Sequence, residues 1–442
     1  MKVATRRAIA ASCPVADVID LTTGRGMDII AASGGWRSTS DRFRCATISE
    51  AIVKAILSLA LVLGVCGLAG AADEKVVVGQ THGIHSAVLK EERNYRVYLP
   101  DSYAWAKDRR YPVLYVLDGE SQFLHTAASV DYLAAHGEIP ELIVVGLDST
   151  VRVRDFSPTD WPEVWVGGGG APNFKRFLST EFIPTIERTY RTDGFRVLSG
   201  VSAGGLFALY CLTTEPSLFR AYFALSPSLD WDHNWPQRSL EKAFESTRKL
   251  EAFLYVARSD DTGRPLEDYE RFVQTLKTKS PQGFRWFSQA FPDETHAGVP
   301  LLAEIDALRH LYHGYRFHND LLPKGLAYAE QHFKDVSKKV GWPLAIPENV
   351  INEFGYAALS QGKTPDAIGL FKRNVEANPN SANAYDSLAE GYAKAGQWKD
   401  AVQASERAVA LATQFSNPKR SYFIEQAKKM NERLKQGPGP SN

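Results

Sequence analysis

The chain has 442 residues, 44% hydrophobic and 23% charged, a globular composition that excludes a disordered polymer and leaves room for two or three domains. Its 51 Lys and Arg residues balance its 51 Asp and Glu residues. No basic excess is left to hold a phosphate backbone, so nucleic acid is excluded as the expected partner. The four cysteines, Cys13, Cys45, Cys66 and Cys211, have neither zinc-site nor redox spacing and build no disulfide framework.

Residues 1–71 read as an upstream extension with a signal peptide. From Ala55 to Ala72 run 18 residues without a charge, preceded by Lys54 and closed by small residues at Ala69 and Ala71. That order, basic then apolar then small, describes a secretory leader cut after Ala71. The competing reading is a membrane anchor, because the run just reaches spanning length. Residues 1–50 have no steady period, which suggests a start site placed too far upstream. Cleavage predicts an exported protein, periplasmic or secreted, with no stable membrane span.

Residues 73–318 alternate strand and helix. Apolar runs occur at 94–100, 111–117, 142–146, 196–200, 221–226 and 253–257. Runs this short fit strands buried on both faces. Helical patterns at 172–190 and 204–214 lie between them. Such alternation predicts a mostly parallel sheet with helices on both faces and chemistry beyond the carboxyl ends of the strands.

The fourth run leads into Gly200-Val201-Ser202-Ala203-Gly204-Gly205. G-x-S-x-G between a strand and a helix lifts a serine hydroxyl above the sheet, and its flanking positions must be small because strand and helix nearly touch. Ser202 is the expected nucleophile. The base and the acid should follow in the order acid, then His. His296, in the loop 293–298 after an apolar run, is the expected base. His310 and His313 fall on a helical stretch and read as surface or packing residues, and no metal site is expected. Asp260, three residues past the sixth run, is the expected acid, with Asp261 and then Glu267 as alternatives. The backbone N–H groups of Ala203 and Glu120 are expected to hold the oxyanion. No cofactor is needed for this chemistry.

Gly167 to Gly170 lacks the Lys and Ser/Thr of a phosphate loop and reads as a flexible loop or a lid. Trp161 and Trp165 flank it, and Trp231 and Trp235 follow the fifth run. These four tryptophans could form an aromatic substrate wall or be ordinary packing.

Residues 319–347 are expected to be a linker, with Pro343 and Pro347. Residues 348–381 and 382–415 align at a period of 34: Gly362 with Gly396, Ala367 with Ala401, Val375 with Val409. Small residues at these points in a 34-residue period are the tetratricopeptide signature. A closing helix is expected at 418–436. Fewer than three repeats are marginal alone, so the 348–436 module should pack on the rest, as a prop or as a surface for a protein partner.

With these residues in place, the stretch from about 90 to 315 resembles the putative-esterase branch of the α/β-hydrolases, which includes siderophore, feruloyl and mycolyl-transferring enzymes. The resemblance rests on VLDG at 116–119, RDFSP at 154–158, FLSTEFIPTIERTYRT at 177–192, GVSAGG at 200–205, LSPSLDWD at 225–232 and DETHAGVP at 293–300. It implies an α/β-hydrolase fold with Ser202 and His296 at its site, and a small-molecule ester, siderophore-type or aryl or acyl, as substrate. The combined expectation is a serine esterase with an all-α, tetratricopeptide-like C-terminal module. The alternative is a non-catalytic hydrolase scaffold whose repeats recruit a protein.

Overall fold

The computed structural model describes residues 76–164 and 166–436. The expected leader, Cys13, Cys45, Cys66, Trp165 and the final GPGPSN lie outside the described residues. Among the described residues, no helix is long and apolar enough to cross a membrane.

Eight strands form one sheet: β1 Gln80–Ser86, β2 Glu91–Tyr98, β3 Tyr111–Leu117, β4 Ile143–Leu147, β5 Thr192–Val201, β6 Ala221–Leu225, β7 Phe253–Arg258 and β8 Arg285–Ala290. Their order is β1-β2-β4-β3-β5-β6-β7-β8. β1 and β2 run antiparallel at one edge, and every pairing from β4 to β8 is parallel. β3, β4 and β6 are buried along their whole length, as their unbroken apolar runs require. β1 was not legible as a strand, because QTHGIHS carries one large apolar residue and gains its place by pairing with β2.

Helices cover both faces. On one side lie α2 Ala203–Thr214, α3 Trp231–Ser246 and α4 Arg264–Lys279, burying Phe207, Leu240 and Phe272 against Tyr115, Tyr222 and Leu254. The helical stretch 171–189 packs there too, with a π turn at Leu178–Phe182 that the sequence pattern did not reveal. On the other side lie α1 Gly119–Ala135, α5 Val299–Leu311 and α6 Leu326–Val340. Each fully buried large apolar side chain contributes about 1.5–3 kcal/mol relative to exposure.

The expected linker is in fact mostly α6, preceded by a 3-10 turn at Asn319–Lys324. Its Ala329, Phe333, Val336 and Val340 recur at helical spacing and bury on the sheet face that α1 and α5 cover, so apolar periodicity prevails over the two prolines as the guide. Five helices follow: α7 Glu348–Ser360, α8 Thr364–Ala377, α9 Ala382–Lys394, α10 Trp398–Gln414 and α11 Arg420–Gln436. α7 and α9 start 34 residues apart, as do α8 and α10. Gly362 and Gly396 both take left-handed φ, 75° and 74°, at the matching turn. Val350 and Phe354 of α7 join the apolar cluster of α5 and α6, and Arg109 and Trp105 bind Asn378 and Asn380 at 3.2 Å each.

Candidate active site

β5 ends at Val201 and Ser202 turns sharply into α2 with φ 57° and ψ −114°. A non-glycine residue holds such a conformation only when its surroundings impose it. Three hydrogen bonds do so. Ser202 N–H donates to the Leu225 carbonyl at 2.9 Å, and the Ser202 carbonyl accepts from Leu206 N–H at 2.9 Å and Ser228 N–H at 3.2 Å. A Cβ on Gly200 would lie 2.3 Å from the Gly204 carbonyl, so strand and helix touch here and only glycine fits.

On the neighbouring strand, β3 ends in a second turn. Asp118 is buried with φ 54°, and α1 starts behind it. α1 and α2 therefore leave adjacent parallel strands with their N-termini side by side. The N–H groups of Glu120 and Ala203 belong to those first turns, where no intrahelical acceptor exists, and helix dipoles favour negative charge there. The Glu120 side chain is turned away, accepting from Ser149 N–H at 3.0 Å and Oγ–H at 2.6 Å.

Arg152 joins the two turns. Its Nε donates to both Asp118 carboxylate oxygens, at 2.9 and 3.1 Å, and its Nη2 donates to the Val201 carbonyl at 2.8 Å. Sequence reading passed over Arg152, although it stands next to the RDFSP landmark.

His296 lies in the loop between β8 and α5, three strands from β5 in sheet order. The loop reaches back: His296 Nδ1 is 3.1 Å from Ser226 Oγ. Ser226 follows the last residue of β6 and so sits beside Ser202, one step beyond the Val201–Leu225 pair. It is buried, has φ 44°, and its hydroxyl also meets Ser259 Oγ at 3.2 Å beyond the end of β7. In the tautomer whose Nδ1–H donates to Ser226, the Nε2 lone pair is left to accept a proton.

The acid position differs from expectation. Asp260 uses its backbone, N–H to the Glu294 carbonyl at 2.9 Å, to tie its loop to the histidine loop. Asp260 is exposed. Among the described residues, neither Asp260 nor Asp261 hydrogen-bonds His296, and Ser226 occupies that place. Glu267 lies on α4, exposed. The only sequence signal for Ser226 was a small polar residue directly after an apolar strand.

Trp161 and Trp231 meet edge to face at 5.6 Å, and His233 lies 5.9 Å from Trp161. Trp231 is buried and its Nε1–H donates to Thr159 Oγ1 at 3.1 Å. Trp235 is elsewhere: it packs on Tyr210 at 5.8 Å in the core cluster under α2. The separation has a backbone cause, since Asp232, His233 and Asn234 are all left-handed and break the start of α3. Arg238 holds that turn through the carbonyls of His233 and Asp232. The glycine run lies on the RDFSP segment, with Gly169 N–H donating to Ser157 Oγ at 3.1 Å and Gly170 N–H to the Arg154 carbonyl at 2.8 Å. His310 stacks on Phe287 with ring centroids 3.5 Å apart, a packing role.

Comparison with known proteins agrees with this architecture. The family described as "Putative esterase" matches residues 86–296. Ferri-bacillibactin esterase BesA of Bacillus subtilis (strain 168) is 31% identical over 259 residues, which cover 50% of this chain and 86% of that protein. The crystal structure of an IroE-like serine hydrolase from Shewanella oneidensis superposes with a TM-score of 0.58 at 28% identity, covering 64% of this chain and 95% of the other. An uncharacterised protein from Capnocytophaga ochracea DSM 7271 shares the fold alone, with a TM-score of 0.53 at 19% identity, over 80% of this chain and 100% of its own.

Proposed function

The chain belongs to the Putative esterase family and is a carboxylic ester hydrolase; from that premise we propose that it works through a Ser202 acyl-enzyme with His296 as the proton carrier. The observation that carries this reading is the strained Ser202 turn next to Ser226, whose hydroxyl tethers the His296 imidazole by Nδ1.

In the first half-reaction the Ser202 Oγ attacks the ester carbonyl carbon while its proton passes to His296 Nε2. The carbonyl oxygen becomes an oxyanion and accepts from the N–H groups of Ala203 and Glu120. The C–O bond then breaks and the leaving alkoxide takes the proton from Nε2. In the second half-reaction water attacks the acyl-enzyme with His296 again as base, and a carboxylic acid leaves. Oxyanion donors of this kind are each worth about 10²–10³-fold in kcat. Ser226 orients the imidazole, and Asp260, the expected acid, lies exposed on the neighbouring loop.

We further propose an aryl ester of siderophore type as substrate, docked against Trp161 and Trp231. Support comes from those rings and from the name of the Bacillus relative. The apolar run 55–72 supports export, and the 34-residue offset of α7 to α10 supports a tetratricopeptide module at 348–436 behind the 73–318 esterase domain.

The test compares the purified chain with Ser202→Ala on p-nitrophenyl butyrate and a fluorophosphonate label. Turnover and labelling should both vanish in the variant. A labelled or active Ser202→Ala protein would overturn the nucleophile. A screen of catecholate triesters against feruloyl esters then decides the substrate class.

A further inference from the structure

The C-terminal helices carry a set of side chains that the ester chemistry does not use. α9 lies between α7 and α11. On this row Asp386 is 4% exposed, and one of its carboxylate oxygens, Oδ1, has no hydrogen-bond partner among the described residues. Burial, and then the charge of Glu390 one turn further along α9, push the Asp386 carboxyl up to about 6. The Tyr422 hydroxyl acts in the opposite direction.

Two tyrosines frame these acids. Tyr356 of α7 is 36% exposed and its hydroxyl meets Ser387 Oγ at 3.1 Å. Tyr422 of α11 is 47% exposed. Burial raises both hydroxyls, the Ser387 bond opposes it at Tyr356, and the charges of Asp386 and Glu390 raise both further. Elsewhere in the module, rings carry a cation from the chain itself: Lys372 over Tyr392 at 5.8 Å, Arg407 over Tyr385 at 5.8 Å and Arg433 over Trp398 at 5.7 Å. Among the described residues, Tyr356 and Tyr422 carry none.

We infer that the α7-α9-α11 face binds a partner protein by seating one of its lysine or arginine side chains between Tyr356 and Tyr422, against Asp386 and Glu390. The physical argument is charge complementarity. A buried carboxylate with one oxygen unpartnered is costly, and an incoming cation offsets that cost. Tyrosine faces add cation–π attraction. The tyrosines are exposed rims rather than the walls of a closed cavity, which suits a side chain projecting from a protein surface better than a free small cation. Binding requires ionised Asp386, so affinity should rise as pH passes upward through the value at which that carboxyl ionises.

The test uses the full chain and a fluorescein-labelled Gly-Ser-Lys-Ser-Lys-Ser peptide, read by anisotropy at low salt. Binding should weaken about tenfold in Asp386→Asn/Glu390→Gln, and about tenfold for the same peptide with acetyl-lysines. It should also weaken for the unaltered pair on lowering the pH from about 7.5 to about 5. Asp366→Asn/Glu376→Gln, on the exposed face of α8, should change little. Hydrolysis of p-nitrophenyl butyrate and the melting temperature report whether each variant is folded. If the double variant does not fold, the acetyl-lysine comparison decides. No binding by the wild-type chain, equal binding by the double variant or the acetylated peptide, or an equal loss in the α8 control would overturn the inference. Spermidine competing as well as the peptide at equal charge would overturn the choice of a protein partner.

Discussion

His296 is held through Nδ1 by the hydroxyl of Ser226, 3.1 Å away, at the end of the strand adjacent to the one that ends in Ser202. A hydroxyl fixes ring orientation but, unlike an ionised carboxylate, can donate as well as accept, and it supplies no charge to stabilise an imidazolium. Ser226→Ala should therefore lower kcat about 10- to 100-fold with KM little changed. Asp260→Asn, at an exposed position, should stay within about threefold. Steady-state kinetics on both variants checks the pair, and a larger loss in Asp260→Asn would return the orienting role to the aspartate.

Arg152 clamps the two turns from which the proposed oxyanion donors come, through Asp118 and the Val201 carbonyl. Arg152→Lys keeps the charge but cannot make both contacts, since an ammonium lacks the planar fork. Its kcat on p-nitrophenyl butyrate should fall about tenfold or more. A lysine variant with full activity would reduce Arg152 to a surface charge.

Glu304 on α5 is buried, and among the described residues it hydrogen-bonds only the Ser199 hydroxyl, at 2.6 Å. Burial raises its carboxyl from 4.5 to about 7. The unfolded chain ionises first as pH rises, while the folded chain stays neutral, so the stability this group confers is present below about 4.5 and is lost as pH climbs to about 7. The loss amounts to about 3 kcal/mol at roughly 1.4 kcal/mol per pH unit. Glu304→Gln should abolish that slope. Urea unfolding of both proteins between these pH values measures it, and parallel curves would disprove it.

Trp161 stands half-buried, edge to face with Trp231, without filling the core. Trp161→Ala should raise KM for p-nitrophenyl esters with an aryl acyl group several-fold, equivalent to about 1 kcal/mol of lost aromatic contact, and leave KM for p-nitrophenyl acetate nearly unchanged. Equal effects on long and short acyl groups would place Trp161 outside the substrate path.

The sheet could be read from the chain because strands buried on both faces, such as 111–117 and 221–225, declare themselves by unbroken apolar runs. The elbow was legible for a local reason: Gly200, Ser202 and Gly204 meet a steric demand within five residues. The partner of His296 was not legible. It depends on a loop crossing from β8 back to β6, a contact between residues 70 positions apart. Asp260 stood at the usual offset, but offset along the chain says nothing of which group its carboxylate meets, and its own N–H is committed to Glu294. The separation of Trp231 from Trp235 was equally hidden, because nothing in Asp232-His233-Asn234 announces three left-handed residues.

Phe317, Phe333 and Phe354 meet at 6.3 Å and 5.7 Å in a patch that draws on the end of the esterase region, on α6 and on α7. Cutting the chain after residue 318 would strip that patch of its cover and leave aromatic rings open to water. Such a fragment should collect in inclusion bodies, and the intact protein should melt in a single calorimetric step. Swapping the repeats onto another enzyme would then require carrying α6 along with them, since the seam runs through a hydrophobic interior and offers no flexible joint at which to cut.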